Sequence, residues 1–206
     1  MIVTVYAIHS DTVRDMDWTP LNLCMPKRVD KARRYRLERD RLLCIGAGLL
    51  LMRFVGIREE AEITTGTYGK PCAEGYAEFN LSHSGQWCVL STGEGATGVD
   101  IEEIDPANLK VARTVFTPAE LEWMSESPLE RFHKLWTWKE SVMKALGLGI
   151  SLPPNSFDVV PFIQNMPVQV KKNWLYAASG EVEGYCYSVC AFHPIDLIKW
   201  VEWNGG

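Results

Sequence analysis

The sequence predicts an α+β protein made of two successive halves, each a strand, a long helix and then further strands. Three observations lead there. The chain has 206 residues, 47% of them apolar, enough to bury a sizeable core in one large domain or in two of about 100 residues each. Stretches of helical periodicity follow β-branched runs in both parts of the chain. A glycine-rich segment, GEGATG at 93–98, divides them, so the halves are expected to span 1–94 and 95–206.

Each element has a local reason. The opening IVTVYAIH is strand-like by its β-branched content. Pro26 suits the first turn of a helix, and that helix is expected to run through a basic stretch to about Val55. Gly46 and Gly48 either weaken it or admit a close neighbour. YGKP at 68–71 is a turn. AEFNLSHSGQWCVLST reads as a strand, a polar break from Ser82 to Gly85, and a second strand. GVDIEEI opens the second half as a strand. Thr117 and Pro118 fit the N-cap and first position of a helix, with Glu120 completing a capping box. A longer helix from about Leu129 to Leu146 stops at Gly147, a C′ glycine. Further strands are expected at 157–163, 168–171 and 185–193. No sequence repeat and no low-complexity segment is visible.

Composition excludes several classes. A charged fraction of 23% and a net charge of −5 are too modest for a disordered chain this apolar. The longest uncharged apolar run, Leu42 to Met52, has 11 residues, short of the roughly 18 a membrane span needs. The N-terminus carries no basic n-region or small-residue cleavage site, so no signal peptide is expected. Cysteines 24, 44, 72, 88, 186 and 190 contain no C-x-x-C pair. They read as buried free thiols of a reducing, cytoplasmic setting.

The charge is unevenly spread. Lys27, Arg28, Lys31, Arg33, Arg34, Arg36, Arg39 and Arg41 face only Asp30, Glu38 and Asp40, a local +5 that leaves −10 elsewhere. A solvated helix face and an anion site account for this about equally. The acidic remainder argues against nucleic acid and favours a compact polyanion such as a nucleotide.

Candidate chemistry lies further along. In a strand, Asp100 and Glu102 share a face and repel unless something neutralises them, a task suited to magnesium or manganese. Taken alone, D-x-E fits a solvated strand end better. Glu140 and Lys144 share a helix face, with His133, Trp136 and Thr137 near the same stripe; the alternative is a surface ion pair. Trp138 belongs to the core. Ser82 and His83, in SHSG, suit phosphate contact, although a structural histidine explains His83 at least as well. Histidines 9, 133 and 193 show no metal-ligand spacing, and neither a Walker A motif nor a G-x-S-x-G elbow is present. Together these parts describe magnesium-dependent phosphate chemistry.

GVDIEEI at 98–104 and WTWKESVMKALGLG at 136–149 resemble the paired signatures of the 4′-phosphopantetheinyl transferases, G-x-D-x-E and W-x-x-K-E-x-x-x-K. YGKP, FNLSHSG and FT-x-x-E at 116–120 resemble further motifs of the larger, Sfp-type branch. The resemblance covers about residues 24 to 193. It implies a monomer with a pseudo-twofold pair of α+β halves, each a long helix packed on a small, mainly antiparallel sheet, with the active site between them. It implies transfer of the phosphopantetheine arm of coenzyme A to a serine of an apo acyl or peptidyl carrier protein, the holo-[acyl-carrier-protein] synthase type of activity, releasing adenosine 3′,5′-bisphosphate. On this reading 1–94 is the coenzyme A side and 95–206 carries the metal site and catalytic helix.

Residue by residue, Asp100, Glu102 and Glu140 match the magnesium positions, and Glu140 also the base for the carrier serine. Lys144 matches the lysine near the pyrophosphate, and Ser82 and His83 the phosphate loop. Tyr68, Gly69, Lys70 and Pro71 match the adenine-side turn, and Arg28 and Lys31 the residues that meet the 3′-phosphate. Arg28 stands where the best-known relative has lysine. Near Leu43 and Cys44, where that relative has a polar pair, Arg41 is the candidate replacement. Two other classes compete: a non-catalytic coenzyme A or carrier-binding module, which is expected to lose a carboxylate or the lysine, and a magnesium-dependent phosphohydrolase, which needs a water-activating arrangement.

Overall fold

The β-branched opening forms β1 (Ile2–His9), and its alternation decides two packing layers at once. Val3, Val5 and Ala7 face one apolar cluster while Ile8 joins another. These features come from a computed structural model that describes residues 1–164 and 166–206. After two short helices that sequence periodicity did not suggest, α1 (Ser10–Asp15) and α2 (Thr19–Cys24), comes the basic region. It is not one helix. It divides into α3 (Pro26–Arg33) and α4 (Glu38–Leu50), the latter continued by a π turn to Val55. Leu37 is extended rather than helical, and Arg41 stabilises the break by donating to the carbonyls of Tyr35 and Arg36 at 3.2 and 3.3 Å.

A short ribbon, β2 (Thr64–Thr65) with β3 (Pro71–Cys72), precedes the hairpin of β4 (Phe79–Ser84) and β5 (Trp87–Thr92). The polar residues expected to interrupt this run lie within β4, and the turn falls at Gly85 and Gln86. The second half opens with β6 (Thr97–Glu103) and continues through α5 (Ala112–Val115), α6 (Pro118–Met124) and α7 (Pro128–Ala145). The α6 capping box forms as expected, Thr117 and Glu120 each holding the other's backbone N–H. Past α7, Gly147 has φ +66°. The strand expected at 157–163 is absent; Val160–Gln164 is a 3-10 turn instead. Pro161 has no N–H to give a ladder, and Asp158 captures the Val160 N–H at 2.7 Å. The chain ends with β7 (Val168–Val170), β8 (Asn173–Val182), β9 (Tyr185–Ala191) and β10 (Leu197–Glu202). Of these, β8 and β10 were not anticipated.

The two sheets repeat one topology. In the first, β1 pairs antiparallel with β5 and β5 with β4; in the second, β6 pairs antiparallel with β9 and β9 with β8. In each the long helix lies between the first two of these strands in sequence. The division at residue 95 is not respected by β10, which runs parallel to β1 from Ile2↔Leu197 to Ala7↔Glu202. Strand β10 forms the outer edge of the first sheet, a place open to it because β1 would otherwise be the edge.

Three apolar clusters order the layers. One joins α4 to the first sheet, a second fills the space between the sheets with Val5, Trp87, Val99, Ile101 and Val189, and a third joins α7 to the second sheet. All six cysteines are unpaired. Among the described residues no helix is long and apolar enough to cross a membrane.

One backbone contact sets the position of α7. A Cβ at Gly98 would lie 2.0 Å from the Ser141 carbonyl oxygen and 2.4 Å from the Ala145 nitrogen, so the helix rests directly on β6. Because the obstacle is main chain, Gly98→Ala is expected to cost at least the roughly 1–3 kcal/mol of ordinary overpacking. At about 2–4 °C per kcal/mol for a chain of this size, the thermal midpoint should fall by several degrees. An unchanged midpoint would show that α7 does not lie against Gly98.

Candidate functional site: a cavity at the seam between the halves

The site begins with strand alternation. Val99 and Ile101 point into the core between the sheets. Asp100 and Glu102, on the opposite face, meet the neighbouring edge strand β4, which runs alongside β6. The two strands are joined largely through side chains. Asn80 accepts the Val99 N–H at 2.9 Å, Ser82 donates to Asp100 Oδ1 at 2.8 Å, and Ser84 donates to Glu102 Oε2 at 2.8 Å. Asn80, Ser82 and Ser84 of FNLSHS thus stand at every second position because they face β6 across the seam.

Helix α7 supplies the opposite wall. Trp136, Glu140 and Lys144 recur every four residues and form one stripe. Lys144 Nζ lies 2.7 Å from Asp100 Oδ1 and 2.8 Å from Ser82 Oγ. At the other end, Trp136 Nε1–H donates to Glu102 Oε1 at 3.3 Å. The motif's other lysine, Lys139, has a different task. It is fully buried, 2.8 Å from the equally buried Glu120, and also donates to the carbonyls of Pro154 and Phe157. Burial raises the Glu120 carboxyl and lowers the Lys139 ammonium, while each charge opposes the other's shift. The pair ties α6 to α7 and takes no part in the cavity.

A cavity of about 750 Å³ opens at this seam, lined by Ser82, His83, Asp100, Glu102, Glu140 and Lys144 on one side and by Arg28, Lys31, Asp40 and Cys44 on the other. Arg28 reaches it by crossing α4 at Gly48, where a Cβ would lie 2.5 Å from Arg28 Cδ. This is the close approach that the helical glycine permits. Of the adenine-side turn only Pro71 lines the cavity. Tyr68 is exposed, Gly69 has φ +85°, and neither is part of the wall. Lys70 points elsewhere, donating to the carbonyls of Thr97 and Ala145 at 3.1 and 3.3 Å. There it satisfies the C-terminal end of α7, and desolvation lowers its pKa. Arg41 does not replace the missing polar pair: it is committed to the Tyr35 and Arg36 carbonyls, and Cys44 occupies the wall.

The carboxylates are electrostatically frustrated. Asp100 is 3% exposed, and its Oδ2 is buried without a hydrogen-bond partner among the described residues. Burial, then the Asp100 charge, pushes Glu102 up to about 7 despite its bonds from Ser84 and Trp136. The same two causes raise Glu140, opposed by Lys144. Asp100 therefore acts on both glutamates, yet among the described residues no three such side chains form a ready-made metal cluster. Three carboxylates without a cation repel, and Lys144 takes one Asp100 oxygen. The donor set still has the chemistry a hard divalent cation takes: Asp100, Glu102 and Glu140 offer carboxylate oxygens, and Asp100 Oδ2 is a buried anionic acceptor without a partner among the described residues. Sequence reasoning placed Trp136 on the Glu140–Lys144 stripe and Ser84 in the polar SHSG segment but paired neither with Glu102. Their period-2 and i, i+4 relations to Ser82 and Glu140 were the available signal.

Comparison with known proteins adds an independent line. The family model for the 4′-phosphopantetheinyl transferase superfamily matches residues 96–190. The chain is similar to 4′-phosphopantetheinyl transferase Sfp of Bacillus subtilis (strain 168), 30% identical over 92% of each chain. It is similar to 4′-phosphopantetheinyl transferase ffp of Bacillus subtilis at the same identity and coverage. To 4′-phosphopantetheinyl transferase gsp of Aneurinibacillus migulanus it is 35% identical, over 60% of this chain and 55% of the relative.

The raised Glu102 pKa has a measurable sign. Its unfolded value is near 4.5 and its folded value about 7. Below the lower value both states are protonated and the group is neutral to stability. As pH rises through this window the unfolded chain ionises first, so the folded state is penalised. In the presence of chelator, Glu102→Gln should therefore gain stability relative to wild type between pH 5 and pH 8. Thermal melts of both proteins at both pH values test this; an equal difference at each would remove the electrostatic strain from the site.

Proposed function

Because the chain belongs to the 4′-phosphopantetheinyl transferase superfamily, we propose that it transfers the 4′-phosphopantetheine group of coenzyme A to a serine of an apo acyl or peptidyl carrier protein. The other product is adenosine 3′,5′-bisphosphate. The observation that carries this reading is a single cavity whose wall combines Arg28 and Lys31 with Asp100, Glu102, Glu140 and Lys144. Coenzyme A presents two anionic groups, a 3′-phosphate and a pyrophosphate, and the wall offers cationic partners for both.

In this reading the carrier serine Oγ attacks the phosphorus that bears pantetheine. A new O–P bond forms, the pyrophosphate P–O bond breaks, and the electron pair leaves with the nucleotide. Glu140 takes the serine proton; the burial that raises its pKa suits a proton acceptor. Lys144 neutralises phosphate charge from a position fixed by Asp100 and Ser82. Asp100, Glu102 and Glu140 would hold Mg²⁺ or Mn²⁺, which when bound supplies further neutralisation of the pyrophosphate. His83 faces the same space and Pro71 contributes to the nucleotide side. Unpaired thiols support a cytoplasmic setting, and the repeated topology within one chain supports a monomer.

The direct test is mass gain. An apo carrier protein incubated with this protein, coenzyme A and Mg²⁺ should gain one phosphopantetheine group, chelator should abolish the gain, and added Mg²⁺ should restore it. No gain with any carrier, or full turnover under chelation, would refute the reading. Transfer to protein also separates it from a binding module and from a phosphohydrolase.

Arg28 and Lys31 are assigned to the 3′-phosphate. Charge-assisted contacts are worth roughly 1.5–3 kcal/mol, or about 10- to 150-fold in affinity, and the exposure of Lys31 favours the low end. Arg28→Ala and Lys31→Ala should thus raise KM for coenzyme A several-fold or more. They should leave KM for 3′-dephospho-coenzyme A nearly unchanged. Equal losses on both substrates would move these side chains to another partner.

A further inference from the structure

The two strand carboxylates are held in the same way but by donors of different charge. Each receives one hydroxyl from β4 and one N–H from α7. For Asp100 these are Ser82 and the Lys144 ammonium. For Glu102 they are Ser84 and the Trp136 indole. The pairs run in register: residues 82 and 84 on one strand, 100 and 102 on the next, and 144 and 136 two helical turns apart on α7. The geometry points to Trp136 and Ser84 as positioning residues that clamp both oxygens of Glu102 toward the cavity without neutralising it.

The difference in charge has a consequence. Lys144 compensates Asp100, so that side chain meets a cation with its charge already partly balanced. Glu102 is held by neutral donors, so when it ionises none of its charge is already balanced by a bonded ammonium. Trp136 also packs against the α7 cluster, which is the competing explanation for a tryptophan here. Packing alone, however, does not require the indole nitrogen to face a carboxylate. Ser84 serves the seam twice, since its Oγ also accepts the Glu103 N–H at 3.1 Å. The clamp therefore fixes both the Glu102 side chain and the end of β6 that carries it.

This inference rests on the carboxylates binding a divalent cation, and the test separates the two. The measurement is Mn²⁺ binding to the purified protein without coenzyme A or carrier, read from loss of the free-ion EPR signal. Partners that orient a metal ligand typically contribute 10- to 100-fold in affinity; the long 3.3 Å indole bond places Trp136 at the low end. Trp136→Phe, which keeps a ring in the packing, and Ser84→Ala should each weaken Mn²⁺ binding roughly 10-fold. Ser84→Thr, which keeps the hydroxyl, should stay within about threefold of wild type, a gap well below 1 kcal/mol. Thermal midpoints identify any variant that fails to fold, and the Ser84 pair decides the question if Trp136→Phe does. Glu102→Gln is the control. Wild type that binds no Mn²⁺, or binds it regardless of Glu102→Gln, overturns the cation site and the clamp with it. Binding that depends on Glu102 but ignores Trp136→Phe and Ser84→Ala overturns the clamp alone.

Discussion

Everything at the seam depends on how closely α7 lies on β6. Without a side chain at Gly98 the helix backbone reaches the strand backbone, and the stripe of Trp136, Glu140 and Lys144 is brought over Asp100 and Glu102. An alanine there would push the helix off the strand and stretch the hydrogen bonds this stripe makes. The glycine of G-x-D-x-E and its two carboxylates are therefore one device: the first sets the height of the wall, and the other two face it.

Two lysine–carboxylate pairs on α7 show how context divides similar groups. Lys139 and Glu120 are wholly buried, and their remaining valences are met by the carbonyls of Pro154 and Phe157 and the N–H groups of Thr117 and Val159. A buried pair so completely satisfied has nothing left to offer a ligand, and removing one partner would strand the other charge. Lys144 and Asp100 are also close, but Lys144 borders open cavity and Asp100 Oδ2 has no partner among the described residues. The incomplete pair is the one available for chemistry.

Which side chains of the candidate site share a face was legible because short-range periodicity encodes it. Period 2 places Asp100 beside Glu102, period 3.6 places Glu140 beside Lys144, and the Thr117–Glu120 capping box is a local pattern. The parts that escaped are set by contacts distant in sequence. The break between α3 and α4 depends on an extended Leu37 and on Arg41 reaching backward. Strand β10 exists because β1, almost 200 residues earlier, offers an open edge. Lys70 looks like a ligand-binding lysine in YGKP, but the carbonyls that claim it lie 27 and 75 residues away. Likewise Ser82 and Ser84 read as a polar interruption until β6 is placed beside them.

The seam also explains why a polar, charge-bearing strand edge can sit at the centre of the molecule. Backbone groups at the meeting of two sheets need partners, and a direct ladder between β4 and β6 would close the space entirely. Side chains do the joining instead: Asn80 accepts where a carbonyl would have, and Ser84 both accepts from one residue and donates to another. This substitution spaces the strands with hydroxyls and an amide rather than with main chain. It leaves Asp100 and Glu102 directed into a cavity whose far wall is the basic end of α3. The same polar side chains that hold the halves together thus keep the gap between them open.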